Sequence, residues 1–282
     1  MSGLRISTHR LVHIYRSEGH DVAALSGVDL DVQAGEVIGL LGPSGAGKST
    51  LLSLLAGVFR PSAGKIFVGD RELSTATEQE LDRLRSKEIS LMLQGAGRNL
   101  LPFYSAHDNV RFAQSAARRA GERLLDAPHV LDAVGLGEHA HRPLGSLPPC
   151  QLQLAAVAVA VATSPGLLLA DEPTSQLDHG ARDQVLETIS TINRTFGTTV
   201  VLVTHDAEVA AYLPRTVTIR DGRVGGEGRG SEEYAVVTPD GFLPLPTHAR
   251  ENLRPGTLVR FHLVEGNYVL LPSDHPTPEA AS

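Results

Sequence analysis

One nine-residue stretch, Gly42-Pro43-Ser44-Gly45-Ala46-Gly47-Lys48-Ser49-Thr50, constrains this chain more than any other. Before it lies Glu36-Val37-Ile38-Gly39-Leu40-Leu41, an apolar run that reads as a short, fully buried strand. After it comes Leu51-Leu52-Ser53-Leu54-Leu55-Ala56, which reads as a helix. A GxxxxGK[ST] loop between a strand and a helix stands in the context that confirms it. Glycines at 42, 45 and 47 let backbone N–H groups turn inward around phosphate oxygens. The helix starting near Lys48 adds unpaired N–H groups and the positive end of its dipole. Lys48 is then placed to reach the β- and γ-phosphates of a nucleotide, and the Ser49 hydroxyl to ligate Mg²⁺.

Two further apolar runs end in chemistry. Leu167-Leu168-Leu169-Ala170 stops at Asp171-Glu172-Pro173-Thr174, and two adjacent acids at the end of a buried strand are costly without positive partners. Mg²⁺ and its water satisfy that requirement, with Asp171 supporting the metal shell and Glu172 polarising the attacking water. Thr199-Val200-Val201-Leu202-Val203 stops at Thr204-His205-Asp206. Parallel-sheet enzymes place chemistry beyond the C-terminal strand ends, and three such ends here carry Lys48, Glu172 and His205.

In order and spacing these residues resemble the nucleotide-binding domain of ABC transporters over residues 4–226, within that family the lipoprotein-release and macrolide-export type. The motifs are Gly42–Thr50 (Walker A), Gln94 in Leu91-Met92-Leu93-Gln94 (Q-loop) and Leu167–Glu172 (Walker B). Ser175-Gln176-Leu177-Asp178 (D-loop) and Thr204-His205-Asp206 (H-switch) follow. Asn99-Leu100-Leu101-Pro102 and Asp108-Asn109-Val110 resemble that subfamily's stretch after the Q-loop, and Tyr15 matches the aromatic that stacks on adenine. The resemblance implies a mainly parallel α/β core with an antiparallel β edge. It also implies a helical subdomain over 75–143, completed by a signature helix at 147–162, that touches a transmembrane partner. ATP and Mg²⁺ are the implied ligands: Ser49, Gln94 and Asp171 at the metal, Gln94 sensing the transmembrane partner, and His205 at the γ-phosphate. Two such domains are expected to close head to tail over each ATP.

The signature motif departs from the family. Its LSGGQ falls on Leu147-Pro148-Pro149-Cys150-Gln151, so the serine hydroxyl and both glycines are gone. Proline lacks an N–H, which removes two donors, yet it suits the first turn of a helix. Leu154 and Val159 stand where two arginines are typical of this helix. Ala156–Ala162 alternates with period two, a strand-like pattern, and only the family register makes it helix. Drift, an inactive protein and an asymmetric pair all account for the change, and intact Glu172 and His205 favour the pair. A second ATPase with an intact signature then completes this chain's site; a homodimer is the alternative.

Beyond 226, residues 227–232 read as a linker, overlapping the glycine-rich stretch Gly225–Ser231. A small β module at 233–272 resembles an AbrB-like swapped hairpin, with a strand at 234–237, a turn at 239–241 and a hairpin about Glu265-Gly266-Asn267. Residues 273–282 read as a disordered tail. Three arginines against five acids between 231 and 272 fit phosphate contacts poorly, and the whole chain carries a net charge of −7, so no DNA partner is expected. Dimerisation or regulation is the expectation for this module.

The longest apolar stretch, 152–163, falls short of the roughly 20 residues that cross a bilayer, and the N-terminus shows no secretory signal. A single cysteine, Cys150, forms no internal disulfide and suits a reducing compartment. A permease subunit must therefore supply the spanning helices. The expected location is cytoplasmic, peripheral on the inner face of the plasma membrane, and the expected task is driving transport of lipophilic or peptide-like cargo. The alternatives are a mechanotransmitting ATPase that drives an extracytoplasmic enzyme, and a soluble ATPase acting on nucleic acid or ribosomes.

Overall fold

A computed structural model describes residues 3–17, 20–229, 232–237, 241, 243, 245, 249, 253, 256–264 and 267–273. Seven strands form the central sheet: β3 (Val37–Leu41), β6 (Ile89–Met92), β7 (Leu167–Asp171), β8 (Thr199–Val203), β9 (Arg215–Arg220), β10 (Arg223–Arg229) and β11 (Glu232–Ala235). Their order is β11-β10-β9-β3-β8-β7-β6, with β9, β3, β8, β7 and β6 parallel and β10 antiparallel to β9. A second, antiparallel sheet runs β2-β1-β4-β5, from β1 (Ile6–Ser17), β2 (His20–Val32), β4 (Ala63–Val68) and β5 (Arg71–Glu72). This is the expected α/β class, a mainly parallel sheet with an antiparallel β layer and helices.

Period-two alternation sorts the central strands onto two cores. Leu168, Ala170, Val200 and Leu202 face one, packed with α5 (Pro149–Val161) and α6 (His179–Phe196). Leu167, Leu169, Val201 and Val203 face the other, together with Leu51, Leu52, Leu54 and Leu55 of α1 (Lys48–Leu55) and the inner residues of the antiparallel sheet. The phosphate-loop helix is thus clamped by apolar contacts.

The span expected to form a helical subdomain, with its signature helix, holds α2 (Glu78–Lys87), α3 (Ala106–Arg119), α4 (Ala127–Ala133) and α5; α7 (Ala207–Tyr212) follows β8. α2 starts on a capping box between Thr77 and Glu80, which satisfies two donors of its first turn. Within the span expected to be helical, Ile89–Met92 instead forms an edge strand of the central sheet. Gln114 of α3 is fully buried and donates to the carbonyls of Leu125 and Ala162 at 2.8 Å each, while accepting from Arg118. Gln114→Leu leaves both carbonyls and the guanidinium without that partner, so urea unfolding is expected to show a loss of about 2–3 kcal/mol.

The strand-like alternation of Ala156–Ala162 lies on a helix through Val161. Leu154 to Ala158, Ala160 and Val161 are all buried, so no polar face remains to print a helical period. The glycine-rich segment also differs from expectation. It is strand β10 through Arg229 rather than linker, with a register shift between Val224 and Gly226. A side chain on Gly226 would come within 3.2 Å of the Tyr234 carbonyl, so glycine here serves close strand approach. The strand expected at 234–237 lies at Glu232–Ala235, on the edge of the central sheet.

Ala235–Ser282 forms a separate compact unit. In it β12 (Val259–Val264) and β13 (Asn267–Pro272) pair antiparallel, with Phe261 opposite Leu270 and Leu263 opposite Tyr268. Of the expected turns, Pro239, Asp240, Glu265 and Gly266 lie outside the described residues, as do 230, 231 and the tail 274–282.

Candidate nucleotide site

Because β3, β8 and β7 run parallel and adjacent, their C-terminal ends share one edge of the sheet. Leu40 pairs with Val203, and Val203 with Asp171. The 42–47 loop, the Asp171-Glu172 pair and the Thr204-His205 turn therefore emerge side by side. They line a cleft of about 640 Å³ with Tyr15, Ser44, Lys48, Ser49, Thr50 and Gln94.

The loop requires its glycines. Gly42 has φ 139° and a Cβ there would stand 2.0 Å from the Ile219 carbonyl oxygen. Gly47, at φ 99°, is the N-cap of α1 and offers no side chain between the helix end and the cleft. Lys48 is only 7% exposed, and its ammonium donates to the carbonyls of Gly42 and Pro43 at 2.8 Å each. The lysine is thus held at the mouth of the loop by the loop's own backbone. Thr50 is buried, its hydroxyl 3.1 Å from that of Tyr15. The Tyr15 ring meets His13 edge-on at 4.8 Å and leaves 41% of the residue exposed.

Glu172 is the best-oriented carboxylate of the cleft. His205 Nδ1 donates to its Oε1 at 2.7 Å and Gln94 Nε2 to its Oε2 at 3.2 Å, so both oxygens are aimed. Its backbone is left-handed at φ 46°. Such a conformation costs a non-glycine residue roughly 1–3 kcal/mol and concentrates at functional sites. Burial pushes the neighbouring Asp171 carboxyl above the usual carboxylate range; a hydrogen bond with Ser49 opposes this, Glu172 adds to it, and Lys48 opposes it.

Gln94 is braced by Asn99. Asn99 Oδ1 accepts from the Leu93 N–H at 2.8 Å, while Nδ2 donates to the carbonyls of Leu93 and Gly95. The sequence marked Asn99 only as part of a subfamily stretch. A polar residue five positions after Gln94, in a segment with no periodic pattern of its own, was the available signal. The D-loop is a tight turn: Ser175 N–H donates to the Glu172 carbonyl at 3.1 Å, and Asp178 caps α6 by accepting from the Ala181 N–H at 2.9 Å. A second cleft joins Glu172 and His205 to Ser175, Leu177 and Asp178.

Leu147-Pro148-Pro149-Cys150-Gln151 lines neither cleft. Pro148 is the N-cap and Pro149 opens α5, with no side-chain cap hydrogen bond. Cys150 Sγ lies 3.3 Å from Gln184 Oε1 on α6, and burial, reinforced by Asp178, pushes the thiol above its ordinary range.

Which residues could hold Mg²⁺ follows from the donor set. Among the described residues no group of three or more His, Cys, Asp and Glu forms a metal cage. Mg²⁺ ordinarily takes one or two protein oxygens and completes its shell with water and phosphate. The Ser49 hydroxyl against the Asp171 carboxylate, with Gln94 in the same cleft, fits that habit.

The family profile described as "ABC transporter" matches residues 25–175. The chain is 40% identical to the lipoprotein-releasing system ATP-binding protein LolD of Anaeromyxobacter dehalogenans, over 72% of this chain and 85% of that one. It is 38% identical to the macrolide export ATP-binding/permease protein MacB of Rhodopirellula baltica, over 76% of this chain but only 32% of that one. It is 37% identical to the methionine import ATP-binding protein MetN of Rhodopseudomonas palustris, over 83% of this chain and 63% of that one. Among solved structures, a dimeric post-hydrolysis state of the ATP-binding cassette MJ0796 bound to ADP and Pi superposes with a TM-score of 0.72 at 28% identity. That match covers 80% of this chain and 99% of the cassette.

Proposed function

Because this chain belongs to the ABC transporter ATP-binding family, whose members hydrolyse ATP, we propose that it is the ATPase subunit of a membrane transporter and one half of an asymmetric ATPase pair. Tyr15 stacks on the adenine, and residues 42–50 wrap the phosphates. Lys48 turns from the Gly42 and Pro43 carbonyls to the β- and γ-phosphates, exchanging two neutral acceptors for anionic ones. Ser49, Asp171 and Gln94 would hold Mg²⁺, which would supply positive charge against the phosphates. Glu172 accepts the proton of the attacking water, and His205 and Gln94 keep its two oxygens aimed.

The observation that carries the asymmetry is the start of α5. Pro148 and Pro149 form a sound helix beginning with neither a capping hydroxyl nor their own N–H groups, so it offers a partner's phosphates little. A paired ATPase with an intact signature closes over this chain's Lys48 and Glu172, while the site facing Pro148–Cys150 turns over slowly. A permease supplies the membrane path. No helix among the described residues is long and apolar enough to cross a bilayer, and Phe103, Tyr104 and Phe112 stand exposed by 98%, 52% and 63% after the Gln94 segment. In this reading the chain sits peripherally on the cytoplasmic face of the membrane, against that permease. Similarity to an importer as well as to export-type ATPases leaves the cargo to the permease, and export of lipophilic or peptide-like cargo rests on the 99–110 stretch. The β12–β13 hairpin, in this reading, serves dimerisation or regulation rather than DNA binding.

The test compares phosphate release by the purified full-length chain alone with that of the assembly in which it co-purifies. The chain alone is expected to run at under about a tenth of the assembly's rate per site, and the triple change Pro148→Ser, Pro149→Gly, Cys150→Gly to raise it about tenfold. Equal rates for the unchanged chain alone and in assembly sink the asymmetry.

A further inference from the structure

Arg182 is used by nothing described so far, yet it joins two turns of the site. It lies in the first turn of α6, and its backbone N–H donates to the Asp178 carbonyl at 2.9 Å, the last residue of the D-loop turn. Its side chain is 14% exposed and reaches the opposite way, toward the segment after His205. There the guanidinium bonds the Glu208 carboxylate and lies 3.6 Å from that of Asp206. Its Nε also donates to Asp183 at 3.1 Å.

The turn it reaches is stiff. Asp206 N–H donates to the Thr204 hydroxyl at 3.1 Å, and the Asp206 carboxylate accepts from the Glu208 N–H at 2.8 Å as the cap of α7. His205 sits in the middle of this clasp. The groups facing the guanidinium are Asp183 on its own helix and Asp206 and Glu208 on the other element, with His179 Nδ1 3.3 Å from Glu208. A single exposed ion pair contributes little, but one mostly buried guanidinium shared by carboxylates of two elements is a network that fixes their relative placement.

We propose that Arg182 is a positioning residue that ties the His205 turn to the D-loop turn, so that a displacement of Ser175–Asp178 against a paired ATPase is transmitted to the imidazole beside Glu172. This rests on the roles given above to Glu172 and His205. The guanidinium's partners are the carboxylates of Asp183, Asp206 and Glu208 rather than Glu172 or His205; it sets where His205 stands.

Steady-state hydrolysis by the full-length chain in its co-purified assembly tests this, with Glu172→Gln as control. Arg182→Ala is expected to lower kcat about tenfold while KM for ATP stays within about twofold, and Arg182→Lys to recover about half of the loss. The thermal midpoint of the alanine variant is expected within about 3 °C of wild type. Loss of kcat together with a raised KM and a collapsed midpoint, or no recovery with lysine, assigns Arg182 to folding and overturns the proposal. An alanine variant at wild-type kcat, with Glu172→Gln inactive, overturns the proposal alone. If Glu172→Gln is itself fully active, the parent reading fails and the proposal with it.

Discussion

Glu172→Gln is expected to lower ATP turnover by about three orders of magnitude while leaving nucleotide affinity within about twofold. The amide keeps the shape of the carboxylate and accepts from one of its two donors, while Gln94 can turn its own amide to accept from the new NH2, so the left-handed turn at 172 has little reason to move. What is lost is the carboxylate that His205 and Gln94 aim, the proposed acceptor of the water's proton. Phosphate release, read beside binding of a fluorescent ATP analogue, separates the two effects. Turnover that survives the change would assign the chemistry to the paired ATPase and leave this chain as a nucleotide-sensing regulator.

Lys48→Ala is expected to act on binding and catalysis together, lowering kcat/KM for ATP by about a hundredfold or more. The lysine is buried beneath the loop and held by two carbonyls of that same loop, so its removal also leaves those carbonyls in search of water. Lys48→Arg is not expected to rescue it, because a planar guanidinium does not reproduce the compact ammonium that meets the Gly42 and Pro43 carbonyls at 2.8 Å each. Isothermal titration with ATP checks this, with circular dichroism to establish that the fold persists. Affinity within threefold of wild type in the alanine variant would mean that residues 42–50 do not cradle the phosphates.

The legible parts of this protein were those whose meaning is local. A glycine spacing, a lysine and a serine in nine consecutive residues fixed the loop, and an apolar run stopping at two acids fixed the end of β7. Edge strand β6 was hidden because four residues are too few for a pattern to stand out inside a helix-rich segment. β10 was hidden because its pairing with β9 is made by backbone, to which glycine contributes as well as any residue. α5 ran against its own pattern because a helix buried on every side has no polar face to mark its turns. At the site, the aim of Glu172 depends on Gln94, 78 positions away, and on His205, 33 away. Arg182 works through such a distant pairing, with Asp206 and Glu208, whereas Asn99 works through backbone four and six positions away, and no spacing rule announces either.

The two ends of α5 answer to different demands. Its body, from Leu154 to Val161, is committed to the core, while its opening residues carry no side-chain hydrogen bond that caps the helix. Changes at 148–150 can therefore accumulate without disturbing the protein that bears them. In an assembly of two related ATPases, one copy can surrender its trans-acting phosphate contacts by drift, so long as the other keeps its own. A division of labour of this kind needs no new fold and no new domain, only three codons, and the same three could restore symmetry.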